Sequence, residues 1–502
     1  MAIDSRIIAK NTIFLYIRFL LILVVTFYVS RVLLSKLGVE DYGLYNVVFS
    51  IIGVISFINT TLSSSTSRFI TYELGKNEED KLKITFSTAF YAHLLLALII
   101  LVLAETIGLW YVNNKLIVSP DRFFAASVVY QTSVIITIVS IFRVPYMSSI
   151  IAHERMNAYA YIGIIDALVR FGAAYAITFF NGDKLVFYSI MLLLSQVLVS
   201  LLYIVYSRIH FIEARFSIVH DNNILVNILK FSGWSILANM SNTLSVQGVI
   251  LLFNLFFSPV VVAAQAIGNQ ISNALAQLVQ NVKTAVNPQI IKLYADGSYK
   301  DSEKLTILSS EYVFYLLMIA GFPMILVMPV LLDLWLVEVP DYSVVFARFL
   351  VFQLILGNFN DSYYYPLLAA NKICLNSILE GVACIFQFVL LYVLFKVGLG
   401  PMWARYVGLI IVCLFSFLEK PLILWKSVGY DIKMLYRTIL KCVMVMLLAI
   451  LVNAAIYFVL PHESISHNLI LCVLSVILTT ASCFVFIPKN YKNKLLHLMV
   501  KK

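Results

Sequence analysis

The chain has 502 residues, of which 61% are hydrophobic and only 12% charged, with a formal net charge of +10. A water-soluble domain is nearer half apolar and a quarter charged, so this composition excludes a soluble globular protein and leaves lipid as the solvent. The basic excess does not mark nucleic-acid binding, because Lys and Arg gather between apolar runs, as loops facing anionic lipid require.

A membrane-spanning helix needs about 20 apolar residues. Fourteen stretches qualify, roughly at 11–35, 41–63, 84–112, 122–147, 156–180, 185–207, 228–256, 260–282, 306–332, 342–369, 373–396, 402–425, 435–460 and 467–487. The expected fold is therefore an all-α polytopic membrane protein of about 14 transmembrane helices. The run after MAIDSRIIAK is too long for a secretory h-region and carries no A-x-A-like cleavage site, so it reads as a retained first helix. On this topology 26 Lys and Arg fall on the side of both termini, seven on the other, and three within helices. That bias predicts cytoplasmic N- and C-termini.

The first helix holds Arg18 about 8 residues from its cytoplasmic end, roughly 12 Å deep at 1.5 Å per residue. Such a guanidinium either snorkels or pairs with an acid, or it lines a hydrated cavity and binds an anion. The third helix carries His93 and Glu105; the histidine fits a local hydrogen bond, and the glutamate is either interfacial or an ion-coupling group. On the fifth, Asp166 and Arg170 are four residues apart in IIDALVRF and share one face. They form a structural ion pair, or Arg170 serves an anionic ligand.

The seventh and eighth helices are rich in amides. Asn239 and Asn242 on one, and Asn269 and Asn273 on the other, belong to polar stripes spaced by threes and fours. Such a stripe prefers a neighbouring helix or a wet cavity to lipid. GFPMILVMP at 321–329 should bend the ninth helix, with or without a gating role. The tenth carries Arg348 towards its outer end and Asp361 in GNFNDSYYYP, where a carboxylate suits a coupling proton or Na⁺. Glu380 on the eleventh is a further interfacial or coupling acid. Arg18, Arg170 and Arg348 thus sit at three depths, and their planar forks suit phosphate.

The six cysteines all fall within apolar runs without metal-ligand spacing. No GxxxxGK[ST], GxSxG or HExxH is present, so neither an enzyme nor a built-in ATPase is expected, and no cofactor beyond a coupling ion. A shift of 222 residues superposes Val24 on Val246, Asn59 on Asn281 and Gly75 on Gly297. Together with similar polar stretches at 68–83 and 288–305, this predicts two parallel six-helix lobes, 1–210 and 221–428, followed by two added helices and a basic tail at 429–502.

The stretch LLSKLGVEDYGLYNVVFSI at 33–51, and the polar second helix ending in STSRFITYELGK, resemble bacterial polysaccharide flippases of the O-antigen type. These belong to the MOP exporter superfamily, with the MATE multidrug transporters and the peptidoglycan-precursor flippases. The resemblance implies a MATE-like fold in the bacterial inner membrane. It further implies alternating-access transport of an undecaprenyl-diphosphate-linked oligosaccharide for surface polysaccharide, with Arg18 in a cationic cavity. Partners would be that lipid-linked oligosaccharide, membrane lipids, and a polysaccharide polymerase or other assembly proteins. The alternatives are a MATE-like drug–cation antiporter, which uncompensated arginines disfavour, and a membrane glycosyl polymerase or ligase, which needs a larger outer loop.

Overall fold

The computed structural model describes residues 5–75, 78–153, 155–215, 221–226, 243–370, 372–460 and 464–486, with side chains described from residue 20 and at most positions after it. All regular structure among them is helical. In chain order the main helices are α1 (Ser5–Ile55), α2 (Phe57–Gly75), α3 (Glu79–Leu103), α4 (Phe123–Ala152), α5 (Met156–Ala176), α6 (Lys184–His210), α7 (Val249–Phe256), α8 (Pro259–Ala295), α9 (Tyr299–Leu326), α10 (Met328–Trp335), α11 (Ser343–Ser362), α12 (Ile373–Lys396), α13 (Trp403–Leu414), α14 (Ile432–Val459) and α15 (Ile465–Phe486).

Eleven of the described helical segments are long and apolar enough to cross a membrane, making this a multi-pass membrane protein. The difference from fourteen has local causes. Leu20–Ile55 counts once yet holds two of the expected helices, parted at Gly38. Leu244–Phe256 is the described part of the expected span at 228–256. α8 carries too many amides to score as apolar, although its 37 residues exceed a span's length.

Local chemistry places the breaks. Gly38 adopts φ 83°, a region costly for any residue with a Cβ. Asp183 caps α6, its Oδ1 accepting from the N–H groups of Leu185 at 3.0 Å and Val186 at 3.1 Å. Asp431 does the same for α14 through Lys433 N at 2.9 Å. α8 continues to Ala295 through part of the polar stretch expected as a loop. The helix starts Glu79, Phe123 and Lys184 recur at Tyr299, Ser343 and Trp403, that is, 220, 220 and 219 positions later.

Contacts divide the chain into two compact units. One comprises Met1–Ala263, Trp335–Pro340 and Glu380–Val397; the other Ala264–Leu334, Asp341–Leu379 and Gly398–Lys502. In the first, α4 packs on α2, α3 and α6, and α1 packs on α5. Tyr130, Val48 and Ala104 are among its fully buried residues. In the second, α9 is central and touches α11, α14 and α15. The last two helices are therefore built into that unit. Lys441 of α14 meets Glu311 of α9 at 2.5 Å, and Asn453 of α14 bonds Thr479 of α15 at 3.0 Å. Large apolar side chains cover the outer surfaces, as lipid contact requires.

Candidate functional site

A chain of polar side chains crosses the interior of the first unit. Arg170 Nε donates to Asp166 Oδ1 at 2.8 Å, one turn back along α5. Gln196 of α6 donates from Nε2 to the same oxygen at 3.2 Å. Its Oε1 accepts from Arg143 Nη1 of α4 at 3.4 Å. The Arg143 guanidinium lies over the Tyr203 ring, 5.5 Å from its centroid, a favourable cation–π placement. Tyr45 and Tyr188, 5.5 Å apart, stand beside Arg170. Among the described residues Asp166 is the one carboxylate bonded within this chain, so two guanidiniums share one negative charge.

The orientation of Arg170 follows from helix geometry. Tyr161, Ile165, Leu168 and Tyr175 of α5 are exposed and recur every three to seven residues, marking its outer face. Arg170 follows Tyr161 by nine residues, about two and a half turns at 3.6 residues per turn, which sets it on the opposite face. That face also carries Gly163, Ala167 and Ala174, all buried. Yet the Arg170 side chain is 46% exposed. The guanidinium is thus partly exposed on the face opposite the apolar outer one.

The motif at 37–45 supplies the frame. Beyond the turn at Gly38, Asp41 accepts from Arg122 Nε at 2.9 Å and Nη2 at 2.5 Å, while Arg122 Nη1 reaches Asp183 at 2.6 Å. One guanidinium thus ties the start of α4 to α1 and to the cap of α6. At Gly43 a Cβ would lie 2.0 Å from the Pro259 carbonyl oxygen, so glycine permits the close approach. Tyr45, two residues on, faces Arg170.

The other expected site residues are dispersed. Glu105 lies in a π-helical turn, Ala104–Gly108, with Gln131 Nε2 at 3.4 Å. Glu380 is half-buried on α12, one turn before Cys384, whose thiol meets the Ser245 hydroxyl at 2.7 Å. In the second unit, Asn269 accepts from Gln265 Nε2 at 2.9 Å, and Asn273 is exposed on the same face of α8. Lys283 and Asn287 continue that stripe by threes and fours. Asp361 receives Lys283 Nζ at 3.2 Å. Arg348 Nε donates to the Ile325 carbonyl at 2.8 Å and Nη2 to that of Leu326 at 3.4 Å, so it satisfies the C-terminal end of α9. The Arg18 side chain, Asn239 and Asn242 lie outside the described residues.

Arg143, Gln196 and Lys283 were not among the expected site residues. Arg143 lies towards the end of the expected span at 122–147 and counts there among the cations on the side of the termini. α4 instead continues through Pro145 to Ala152, which leaves Arg143 half-buried nine residues from the helix end. The detectable signal was the alignment of Arg143 and Gln196 with Asp166 on adjacent helices, which needs the packing to be seen.

Comparison with known proteins gives a consistent picture. The MatE family model matches residues 17–176. No curated protein sequence matches the chain. Among solved structures, the lipid II flippase MurJ in an inward closed conformation has TM-score 0.71 at 10% identity, covering 97% of this chain and 100% of that one. An inward-facing multidrug resistance MATE family transporter of the MOP superfamily has TM-score 0.68 at 15% identity, covering 82% and 96%. A MOP superfamily transporter from Pyrococcus furiosus, described for the reverse polarity of its binding pocket, has TM-score 0.58 at 15% identity, covering 82% and 95%. The fold of the chain is MATE-like.

Proposed function

We propose that the chain is a flippase that moves an anionic lipid-linked oligosaccharide, of the undecaprenyl-diphosphate type, across the bacterial inner membrane by alternating access. The observation that carries this reading is the inward-facing, exposed Arg170, joined through Asp166 and Gln196 to Arg143. Two guanidiniums with one carboxylate leave a net positive charge inside the membrane. A diphosphate offers acceptor oxygens to two planar forks at once. Arg18, on the expected helix, would extend the cationic set. Proteins of this fold include both drug transporters and a lipid II flippase, so the polarity of the cavity is what separates the readings.

A proton or Na⁺ gradient would drive the cycle. Asp361 is the coupling candidate of the second unit, although it is not buried as expected: its side chain is 60% exposed and paired with Lys283, so a proton or Na⁺ would compete with that lysine. The drug–cation antiporter is the second reading, and the net positive cluster counts against it. Reconstituted vesicles decide between them. Saturable movement of a diphosphate-linked lipid, slowed when the gradient is dissipated, is expected. Gradient-driven uptake of a cationic dye with no movement of the anionic lipid would overturn the proposal.

A further inference from the structure

In the second unit, the ends of α9, α11 and α14 meet beside α13 around a cavity of about 520 Å³. Phe322, Phe349, Phe352, Leu409 and Ile450 make its walls apolar, and Arg348 is its one charged lining residue. Two nitrogens of that guanidinium are spent on the Ile325 and Leu326 carbonyls; Nη1 has no partner among the described residues. Asn453, also in the wall, is already committed to the Ala449 carbonyl and Thr479. One cationic donor therefore stands beside an otherwise apolar space.

The depth of each wall residue fits one kind of occupant. Arg348 lies five residues from the start of α11, about 8 Å in at 1.5 Å per residue. Phe352 and Ile450 lie nine residues from the ends of α11 and α14, about 14 Å in. The charge is at headgroup level and the apolar walls reach towards the bilayer centre. Phe458, one residue from the end of α14, is 86% exposed at the cavity's rim, so the space opens outward at the level of the charge. A basic residue set between membrane helices in this way suits an anionic headgroup.

We propose that this cavity is a resident-lipid site, taking one acyl chain of an anionic phospholipid with its phosphate on Arg348 Nη1. It lies in the second unit, whereas Arg143, Asp166, Arg170 and Gln196 belong to the first. The lipid is a structural ligand that supports the junction of α9 with α11, and it is distinct from the transported cargo.

The test is native mass spectrometry of the full chain after exchange into phosphatidylglycerol or phosphatidylcholine. Wild type should retain one phosphatidylglycerol in preference to phosphatidylcholine. Arg348→Gln should lower that retention about tenfold, the order expected for one charge-assisted hydrogen bond. Ala454→Phe fills the cavity from the α14 side while keeping Arg348, and should expel the lipid while leaving the α9 end capped. Equal retention of the two lipids by wild type, unchanged phosphatidylglycerol in Ala454→Phe, or replacement of phosphatidylglycerol by a polyprenyl diphosphate would each overturn the proposal. None of these readouts depends on transport.

Discussion

Gln196 and Arg170 share one acceptor: both donate to Asp166 Oδ1, from 3.2 and 2.8 Å. Because Gln196 also accepts from Arg143, it couples two guanidiniums on different helices. A glutamine can do this where a second carboxylate cannot, since its amide donates at one end and accepts at the other. The cluster is thereby connected without being neutralised.

Arg143→Gln should then impair transport about as much as Arg170→Gln. Loss of one charge-assisted hydrogen bond to a phosphate, about 1.5–3 kcal/mol, corresponds to roughly 10- to 100-fold. Arg170→Lys keeps the charge but loses the fork, and should fall between wild type and Arg170→Gln. Surface glycan, normalised to inserted protein, measures the effect. Full export by Arg143→Gln at normal protein level would remove that residue from the site.

The sequence made the fold readable because lipid enforces long apolar helices, and Gly38 marks a turn by its own chemistry. Arg170 and Asp166 were also readable as a pair, being one helical turn apart on α5. Arg143 was not, because its place towards the end of the expected span at 122–147 counts it with the loop cations, whereas the helix continues to Ala152. Arg348 was legible as a cation within a span, but its partners were not: the carbonyls of Ile325 and Leu326 come from a helix end 23 and 22 positions earlier. Sequence spacing reports neighbours on one helix, and these partners sit on others.

Lys283 and Asp361 form an unequal pair, the lysine side chain 8% exposed and the aspartate 60%. Asp361→Asn leaves a nearly buried ammonium without its carboxylate. The cost should be about 1–2 kcal/mol, the lower part of the range for a charged group, since the exposed aspartate is screened by solvent. Lys283→Met in the same chain removes the stranded charge while keeping the apolar stem, and should restore much of the loss. Melting of the purified single and double variants measures this. A double variant less stable than Asp361→Asn would show that the lysine is held by something other than this aspartate.

Asp183 should make the Arg122 clamp sensitive to acid. Burial opposes its charge, but the Val186 and Leu185 N–H groups and the Arg122 guanidinium outweigh it and hold the carboxyl below its ordinary value. A carboxyl depressed in the folded state contributes stability that is complete above the unfolded value, near 3.9, and is lost as pH falls through the folded value. Asp183→Asn should melt below wild type at neutral pH, with the gap closing on acidification below about pH 4. A gap that widens towards acid would contradict the assignment.

The two glycines of LGVEDYG should differ in what they tolerate. At Gly38 a Cβ has open space around it, and alanine there meets only the backbone cost of φ 83° and ψ 171°, about 1–3 kcal/mol. At Gly43 the added carbon would lie 2.0 Å from the Pro259 backbone oxygen. No rotamer change relieves a clash with backbone, so α1 and the start of α8 would have to separate. Gly43→Ala should therefore lower the folded yield more than Gly38→Ala, judged by the monodisperse fraction in size-exclusion chromatography. The reverse order would mean that the turn, and not the close approach, is the more demanding feature of this motif.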